Sequence, residues 1–254
     1  MSGHSKWAQI RRSKGVNDAR RGQLFTRLGR EIVVAVREGG SGDPVANFRL
    51  RMAVQHARDA NMPMDNIERT IKRAVGSSEG ANLEEITYEG YGPGGTALLV
   101  HTLTENRNRT VAEGRNAFHR NGGNMGENGC VDWLFEGKGI IEVEIQGHDP
   151  DEMSLEAIDL GADDVDPVEA DDTTMTIYTD PSDLEKVRQA LETKKYKVVK
   201  AESTMLPKTK IELSDEKVAH QVMRLVEKLE DLDDVQSVYS NADFPEEFAA
   251  SYED

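Results

Sequence analysis

The fold is decided by the stretch YEGYGPGGTALLVHTLTENRNRTVAEGRNAFHRNGGNMGENGCVDWLF, residues 88–135. Its order of residue types predicts a glycine-rich turn at 90–95 and an apolar strand at 96–103. A polar turn, a helix at 109–120 and a second glycine-rich loop follow. The chain before this stretch is basic with helical periodicity, and the chain after it is acidic, so the stretch separates two kinds of structure.

The polar turn, ENRNRT at residues 105–110, alternates two amide side chains with two arginines just before a helix start. The first backbone N–H groups of a helix lack intrahelical acceptors and lie at the positive end of the helix dipole. Together with Arg107 and Arg109 they can hold a phosphate. Alternatively, Asn106 and Asn108 cap the helix while the arginines lie in solvent, and the sequence leaves both interpretations open.

Two glycine-rich segments flank the predicted strand and helix. Residues 121–129, NGGNMGENG, can adopt positive φ at many positions, so they either approach a ligand closely or form a long connection. GYGPGG at 90–95 matches a dinucleotide-binding pattern, but a strand follows where that fold requires a helix, which excludes this function. The candidate contact residues of these loops and of the polar turn are Tyr91, Gly92, Pro93, Asn106 and Asn124.

Five separated blocks of this chain closely resemble the YebC family of gene-expression regulators. They are SGHSKWAQIRRSKGVNDARRGQLFTRLGRE (2–31), GYGPGG (90–95), TENRNRT (104–110), NGGNMGENG (121–129) and EDLDDVQSVYSNADF (230–244). The resemblance implies a three-domain protein that acts as a DNA-binding transcriptional regulator. It equally implies a role in translation, because mitochondrial relatives are translational activators of cytochrome oxidase and bacterial relatives are linked to translation of proline-rich sequences.

The formal charge of −16 is divided very unevenly between the two ends of the 254-residue chain. Residues 1–75 hold 15 Lys/Arg against 7 Asp/Glu, a charge of +8, and the remainder holds 16 against 40, a charge of −24. A basic module joined to an acidic body docks on a polyanion in one orientation, because phosphate attracts the module and repels the body. The acidic part can also serve solubility alone.

The first 75 residues supply most of the candidate phosphate contacts. Trp7 lies among four cationic residues, so it can either stack on a base or anchor the arm to the next helices. Apolar spacing predicts three helices, at about 18–38, at about 43–60 with Asp43 as N-cap, and from about residue 65 onward. The candidate nucleic-acid-binding residues of the chain are Lys6, Trp7, Arg11, Arg12, Lys14, Arg20, Arg21, Arg27, Arg30, Arg107 and Arg109.

Beyond a predicted hinge at 76–80, strand and helix patterns alternate. Residues 137–206 show the order βαββαβ by themselves, which is typical of ferredoxin-like folds. With this block removed, strands predicted at 96–103, 131–135, 209–213 and 235–239 and helices at 109–120 and 215–232 repeat the order. The sequence therefore predicts an α+β protein with a three-helix domain (1–78) and two ferredoxin-like βαββαβ domains, the acidic one (137–206) inserted into a discontinuous one (79–136 and 207–254).

The chain carries no recognisable catalytic or metal-binding motif. It lacks a P-loop lysine, a nucleophile-elbow serine and an HExxH sequence, its six histidines are scattered, and Cys130 is the single cysteine. We therefore expect no enzymatic activity, no metal and no cofactor. No apolar run reaches membrane-spanning length, so we expect a soluble, cytoplasmic protein that binds no membrane. We also expect a monomer.

Two function classes follow from these observations. The first is a non-enzymatic nucleic-acid-binding regulator, whose target is either DNA or ribosomal RNA and the ribosome. The second is an interaction module whose acidic domains bind a protein partner while the basic arm assists encounter. Binding that weakens steeply with salt favours the first class, and binding that survives high salt favours the second.

Overall fold

Three helices open the part of the chain that the computed structural model describes. They are α1 (Asp18–Gly39), α2 (Phe48–Asp59) and α3 (Met64–Gly76), and their buried faces share a core that includes Ile32, Leu50 and Ile67. The prediction of three N-terminal helices is confirmed. The described residues are 18–76, 83–169, 172–245, 247–248 and 251–252, with side chains from residue 21 onward, so most of the predicted hinge lies outside them.

The second helix begins at Phe48, not at Asp43 as its N-cap pattern predicts. Asn47 is the cap, since its Oδ1 accepts a hydrogen bond from the backbone N–H of Leu50 at 3.0 Å. The Asn47 amide also donates to the carbonyl of Ala35 in α1 at 2.7 Å, and its side chain is buried. This contact between two helices selects the cap, and a local sequence motif cannot show it.

Strands and helices alternate through the rest of the chain. The described chain divides into two compact units, Leu134–Thr209 and the remainder. In chain order the elements are β1 (Glu84–Tyr91), β2 (Ala97–Thr104), α4 (Arg107–Arg120), β3 (Asn124–Met125), β4 (Phe135–Glu144), α5 (Pro150–Asp159), β5 (Asp164–Val165), β6 (Thr174–Thr179), α6 (Leu184–Thr193), β7 (Val198–Pro207), β8 (Ile211–Glu212), α7 (Glu216–Glu230), β9 (Val235–Ser240) and β10 (Ala242–Asp243).

The larger unit contains the three N-terminal helices and an antiparallel sheet with strand order β3-β1-β2-β9. Strands β1 and β2 form a hairpin whose register runs from Glu84 opposite Thr104 to Tyr91 opposite Ala97. Helices α4 and α7 contribute to the core under one face of the sheet, where Phe118 is almost fully buried. The hairpin brings the glycine-rich turn to one end of the sheet and the polar turn to the other.

The strands of this sheet differ from the predicted strands in three places. Strand β1 is missing from the prediction, because EEITYEGY carries three glutamates and a glycine and reads as polar. The predicted strand at 131–135 is a 3₁₀ turn, Asp132–Leu134, followed by the start of β4. The predicted strand at 209–213 is the short β8, which pairs in parallel with β10 and not with the four-stranded sheet. The four-stranded sheet therefore consists of the two predicted strands at 96–103 and 235–239 together with β1 and β3, which the sequence pattern does not predict.

The smaller unit has the ferredoxin-like arrangement. Its elements follow the order βαββαβ, and its four strands lie in the order β5-β6-β4-β7 with every neighbouring pair antiparallel. Helices α5 and α6 supply the buried residues Met153, Leu184 and Leu191. The α+β fold class is confirmed for the chain.

Membrane-spanning helices and metal-binding clusters are both absent from the described residues. Among their helices, none is both long and apolar enough to cross a lipid bilayer. Within the same residues, no group of three or more His, Cys, Asp or Glu side chains is arranged to hold a metal ion.

Gly114 lies in the middle of α4, and we expect its replacement by alanine to stabilise the protein. A Cβ atom at Gly114 would meet only the Met125 sulfur, at 3.8 Å, so alanine fits without displacement. Because glycine costs a helix interior about 1 kcal/mol relative to alanine, Gly114→Ala should raise the free energy of unfolding in urea by about that amount. Gly123→Ala should lower it, since its Cβ would lie 2.7 Å from the carbonyl oxygen of Tyr91.

Candidate nucleic-acid interface

A buried carboxylate, Asp234, lies at the polar turn that the sequence singles out. It immediately precedes β9, and its side chain is 1% exposed. One carboxylate oxygen accepts hydrogen bonds from Arg30 at 3.0 Å and Arg109 at 2.9 Å. The other accepts from Arg109 at 2.8 Å and from the hydroxyls of Thr104 at 3.0 Å and Thr110 at 2.8 Å. Asp234 thus joins α1, β2 and α4 at one point.

These partners keep Asp234 ionised. Burial acts to raise the pKa of this carboxyl, but the hydrogen bonds from Arg109, Thr110 and Thr104 outweigh it, and the pKa lies below the ordinary value of 3.8. The same contact raises the pKa of Arg109. The acceptor positions of this carboxylate are thus occupied by side chains of the protein itself.

Two arginines of α1 fasten this helix to the sheet. Arg27 donates from its guanidinium to the carbonyl oxygens of Glu230 at 3.0 Å and Val235 at 3.4 Å. Arg30 donates to the carbonyl oxygen of Asp233 at 2.9 Å in addition to its ion pair with Asp234. Carbonyl groups at the C-terminal end of α7 carry partial negative charge, which favours a cation there. Both guanidiniums are therefore engaged inside this unit.

A second buried carboxylate, Glu89 of β1, holds the second glycine-rich loop. It accepts hydrogen bonds from the backbone N–H groups of Gly129 at 2.5 Å, Val131 at 2.7 Å and Asp132 at 2.8 Å. Burial acts to raise the pKa of Glu89, but the three backbone donors lower it below the ordinary value of 4.5. These bonds hold residues 129–132 in a non-extended path, which is why the predicted strand at 131–135 does not form.

Two exposed aromatic side chains lie beside this loop. The Tyr91 hydroxyl donates to the carbonyl oxygen of Cys130 at 2.9 Å, and the indole N–H of Trp133 donates to the same oxygen at 3.1 Å. Tyr91 is 41% exposed and Trp133 is 66% exposed. Each ring is thus held by its polar atom while much of its surface faces solvent. We refer to Tyr91 and Trp133 as the aromatic pair.

Comparison with known proteins assigns the chain to a family. Residues 5–77 match the profile of the TACO1/YebC protein N-terminal domain, and residues 83–242 match that of the TACO1/YebC second and third domain. The chain belongs to the TACO1/YebC family. The resemblance drawn from the five sequence blocks is therefore confirmed.

Relatives of this TACO1/YebC protein are similar over their whole lengths. A probable transcriptional regulatory protein of Chloroflexus aurantiacus is 57% identical over 255 residues, which cover 100% of both chains. A probable transcriptional regulatory protein of Dehalococcoides mccartyi is 53% identical over 252 residues, covering 99% of this chain and 98% of the relative. The crystal structure of a conserved hypothetical protein from Aquifex aeolicus has a TM-score of 0.77 at 46% identity, covering 90% of this chain and 92% of that one.

The polar turn of this TACO1/YebC member contains the helix cap that the sequence offered as the alternative to a phosphate site. Asn106 accepts a hydrogen bond from the backbone N–H of Arg109 at 3.1 Å and so caps α4. The Arg109 side chain is 46% exposed, but its guanidinium is held by an ion pair with Asp234. Arg107 is exposed, and burial raises the pKa of the nearby Tyr88 hydroxyl more than the Arg107 charge lowers it.

The other predicted contact residues are distributed over the larger unit of the TACO1/YebC chain. Arg21 of α1 is exposed. Asn124 lies opposite Tyr91 in the β1–β3 pairing and is exposed, whereas Gly92 and Pro93 are buried in the hairpin turn. The remaining predicted contacts lie outside the described side chains, and these are Lys6, Trp7, Arg11, Arg12, Lys14 and Arg20.

Sequence reasoning missed two features of the candidate interface. Arg69, Lys72 and Arg73 are all exposed on α3, and their three- and four-residue spacing places them side by side. That spacing was the available signal. Trp133 was missed because it fell within a predicted strand, and no local pattern shows that Glu89 holds the backbone before it in a turn.

Proposed function

We propose that this protein is a non-enzymatic regulator of gene expression that binds nucleic acid, with duplex DNA as its target, and that acts in the cytoplasm without a cofactor. Its relatives are named probable transcriptional regulatory proteins, which supports a role in regulation. The observation that carries nucleic-acid binding is the charge of +8 on residues 1–75 beside −24 on the rest of the chain. A polyanion is attracted to one end of such a molecule and repelled by the other.

We refer to the helices α1 to α3, residues 18–76, as the helical segment, and their exposed cations form a surface that can attract a polyanion. Arg69, Lys72 and Arg73 line one side of α3, and Arg21 is exposed on α1. Lysine and arginine side chains at such positions contact phosphates and contribute affinity that does not depend on base sequence. Arg27 and Arg30 have a different task in this proposal, because they hold α1 on the sheet and so present the helical segment as one rigid surface.

The proposal predicts that charge removal on α3 weakens DNA binding in a salt-dependent way. Arg69→Gln with Lys72→Gln removes two phosphate contacts, so the slope of log affinity against log salt should become shallower by about 1.8, and affinity at low salt should fall. The measurement is fluorescence anisotropy with a labelled DNA duplex at several salt concentrations.

A matched variant controls for net charge in this experiment. Lys186→Gln with Lys217→Gln changes the net charge equally, but both lysines are exposed outside the helical segment, on α6 and α7. It should keep the wild-type slope. An α3 variant with the wild-type slope would contradict the proposed surface. Tighter binding to ribosomal RNA than to duplex DNA would favour a role in translation over a role in transcription. Salt-resistant binding to a protein partner through the acidic part of the chain, after residue 75, would favour the interaction module over both.

A further inference from the structure

The aromatic pair combines high exposure with fixed positions of both rings. Large aromatic side chains are rarely as exposed as Trp133, whose exposed fraction is 66%. Its indole N–H and the Tyr91 hydroxyl converge on one carbonyl oxygen, that of Cys130, at 3.1 and 2.9 Å. With their polar atoms occupied by the protein, what the two rings offer to solvent is apolar ring surface.

Hydrogen bonds to a buried carboxylate and strand pairing hold the backbone around the pair. Glu89 is a buried carboxylate, and its three backbone hydrogen bonds reach residues on both sides of Cys130, ending at Asp132 beside the tryptophan. Tyr91 is the last residue of β1 and is paired on both sides, with Ala97 and Asn124. Rings held in this way lose little conformational entropy when a ligand contacts them, which increases affinity.

We propose that Tyr91 and Trp133 form a stacking surface for unpaired nucleobases of a single-stranded nucleic acid. This inference rests on the proposed function. Base stacking on tyrosine and tryptophan is the usual way in which proteins bind single strands, because every base presents a flat face. Bases inside a duplex are stacked on one another and cannot reach such a surface, so this surface takes an unpaired segment of the same DNA whose duplex phosphates contact α3.

The charges around the aromatic pair fit a base and not a phosphate. Glu127 and Asp132 are exposed beside the loop, and their carboxylates repel the sugar-phosphate backbone. Carboxylates accept hydrogen bonds from the amino groups of bases, and the exposed amides of Asn124 and Asn128 can donate to or accept from base edges. Phosphates are contacted instead by the cations of the helical segment, so the two surfaces recognise different parts of one ligand.

The test separates base stacking from charge attraction. A single-stranded oligonucleotide of about 12 nucleotides, as DNA and as RNA, is compared with an abasic oligomer of the same length and charge. Trp133→Ala should weaken binding to the base-containing strands about tenfold, leave the salt slope unchanged, and leave binding to the abasic oligomer unchanged. Trp133→Phe should restore most of the affinity. In a Trp7→Phe background, where Trp133 is the remaining tryptophan, the base-containing strands should quench its fluorescence.

The outcomes distinguish this inference from the function on which it rests. If wild type binds the strands and the α3 variant weakens binding, but Trp133→Ala matches wild type and Trp133 is not quenched, the stacking surface is wrong and nucleic-acid binding stands. If Trp133→Ala weakens binding to the abasic oligomer equally, the effect is not base stacking and the inference is likewise wrong. If wild type binds neither oligomer nor duplex DNA, the proposed function itself fails.

Discussion

Asp234→Ala is expected to lower the free energy of unfolding by about 3 kcal/mol, because it removes one buried acceptor from four donors at once. The hydroxyls of Thr104 and Thr110 are buried and would lose this partner. Arg30 and Arg109 would lose their ion pair, although both guanidiniums reach solvent and can be hydrated, which limits the cost. Urea unfolding monitored by circular dichroism measures the change.

The neighbouring residue provides the control for this prediction. Asp233 is exposed, and its carbonyl group, not its side chain, accepts from Arg30. Asp233→Asn should therefore change the stability by less than about 0.5 kcal/mol. Equal small effects of Asp233→Asn and Asp234→Ala would show that the Asp234 network contributes nothing to stability.

The contribution of Asp234 should also depend on pH. Its pKa in the folded protein lies below the ordinary value of 3.8, so the folded state favours the ionised form. The stabilisation is complete above the pKa of the unfolded chain and is lost as pH falls through the folded pKa. The stability difference between wild type and Asp234→Ala should thus be constant near neutral pH and shrink below about pH 4.

Glu89→Gln is expected to lower the free energy of unfolding by about 2 kcal/mol and to release the loop that precedes Trp133 of the aromatic pair. The amide keeps one acceptor oxygen, but its NH₂ group faces backbone N–H donors that previously met a carboxylate. Residues 129–132 should then lose their fixed path, and Trp133 should show lower fluorescence anisotropy. Hydrogen exchange at Gly129, Val131 and Asp132 should accelerate most.

Glu127→Gln is the matched control, because Glu127 is exposed in the same loop and loses the same charge. It should leave stability and exchange within experimental scatter of wild type. If Glu89→Gln leaves exchange at residues 129–132 unchanged, Glu89 does not hold the loop.

The parts of the fold that depend on local pattern could be predicted from the sequence. Helix α1 follows from the apolar spacing of Leu24, Leu28 and Ile32, and the prediction ends one residue short of the observed helix. The smaller unit follows from its order of strands and helices. The parts that depend on distant contacts could not be predicted. Strand β1 contains Glu89, whose carboxylate is buried by hydrogen bonds to the loop at 129–132. Because this contact is distant in sequence, the glutamate-rich sequence of β1 resembles an exposed polar segment.

The candidate interface shows the same division. The cations at the N-terminal end could be predicted because charge segregation is visible without structure. Their roles could not, since Arg27, Arg30 and Arg109 look like free phosphate contacts in the sequence and prove to be bound to carbonyl groups and to Asp234. Asp234 itself lies in an acidic run in which nothing local marks one carboxylate as buried.

The central claim is that this protein binds nucleic acid in the cell. Ultraviolet crosslinking of the tagged protein in its own cells, followed by sequencing of the attached nucleic acid and mapping of the crosslinked peptides, tests it most directly. We expect enriched DNA segments, with crosslinked peptides from the helical segment and from the loop at Trp133. Recovery of no nucleic acid above an untagged control would contradict the claim.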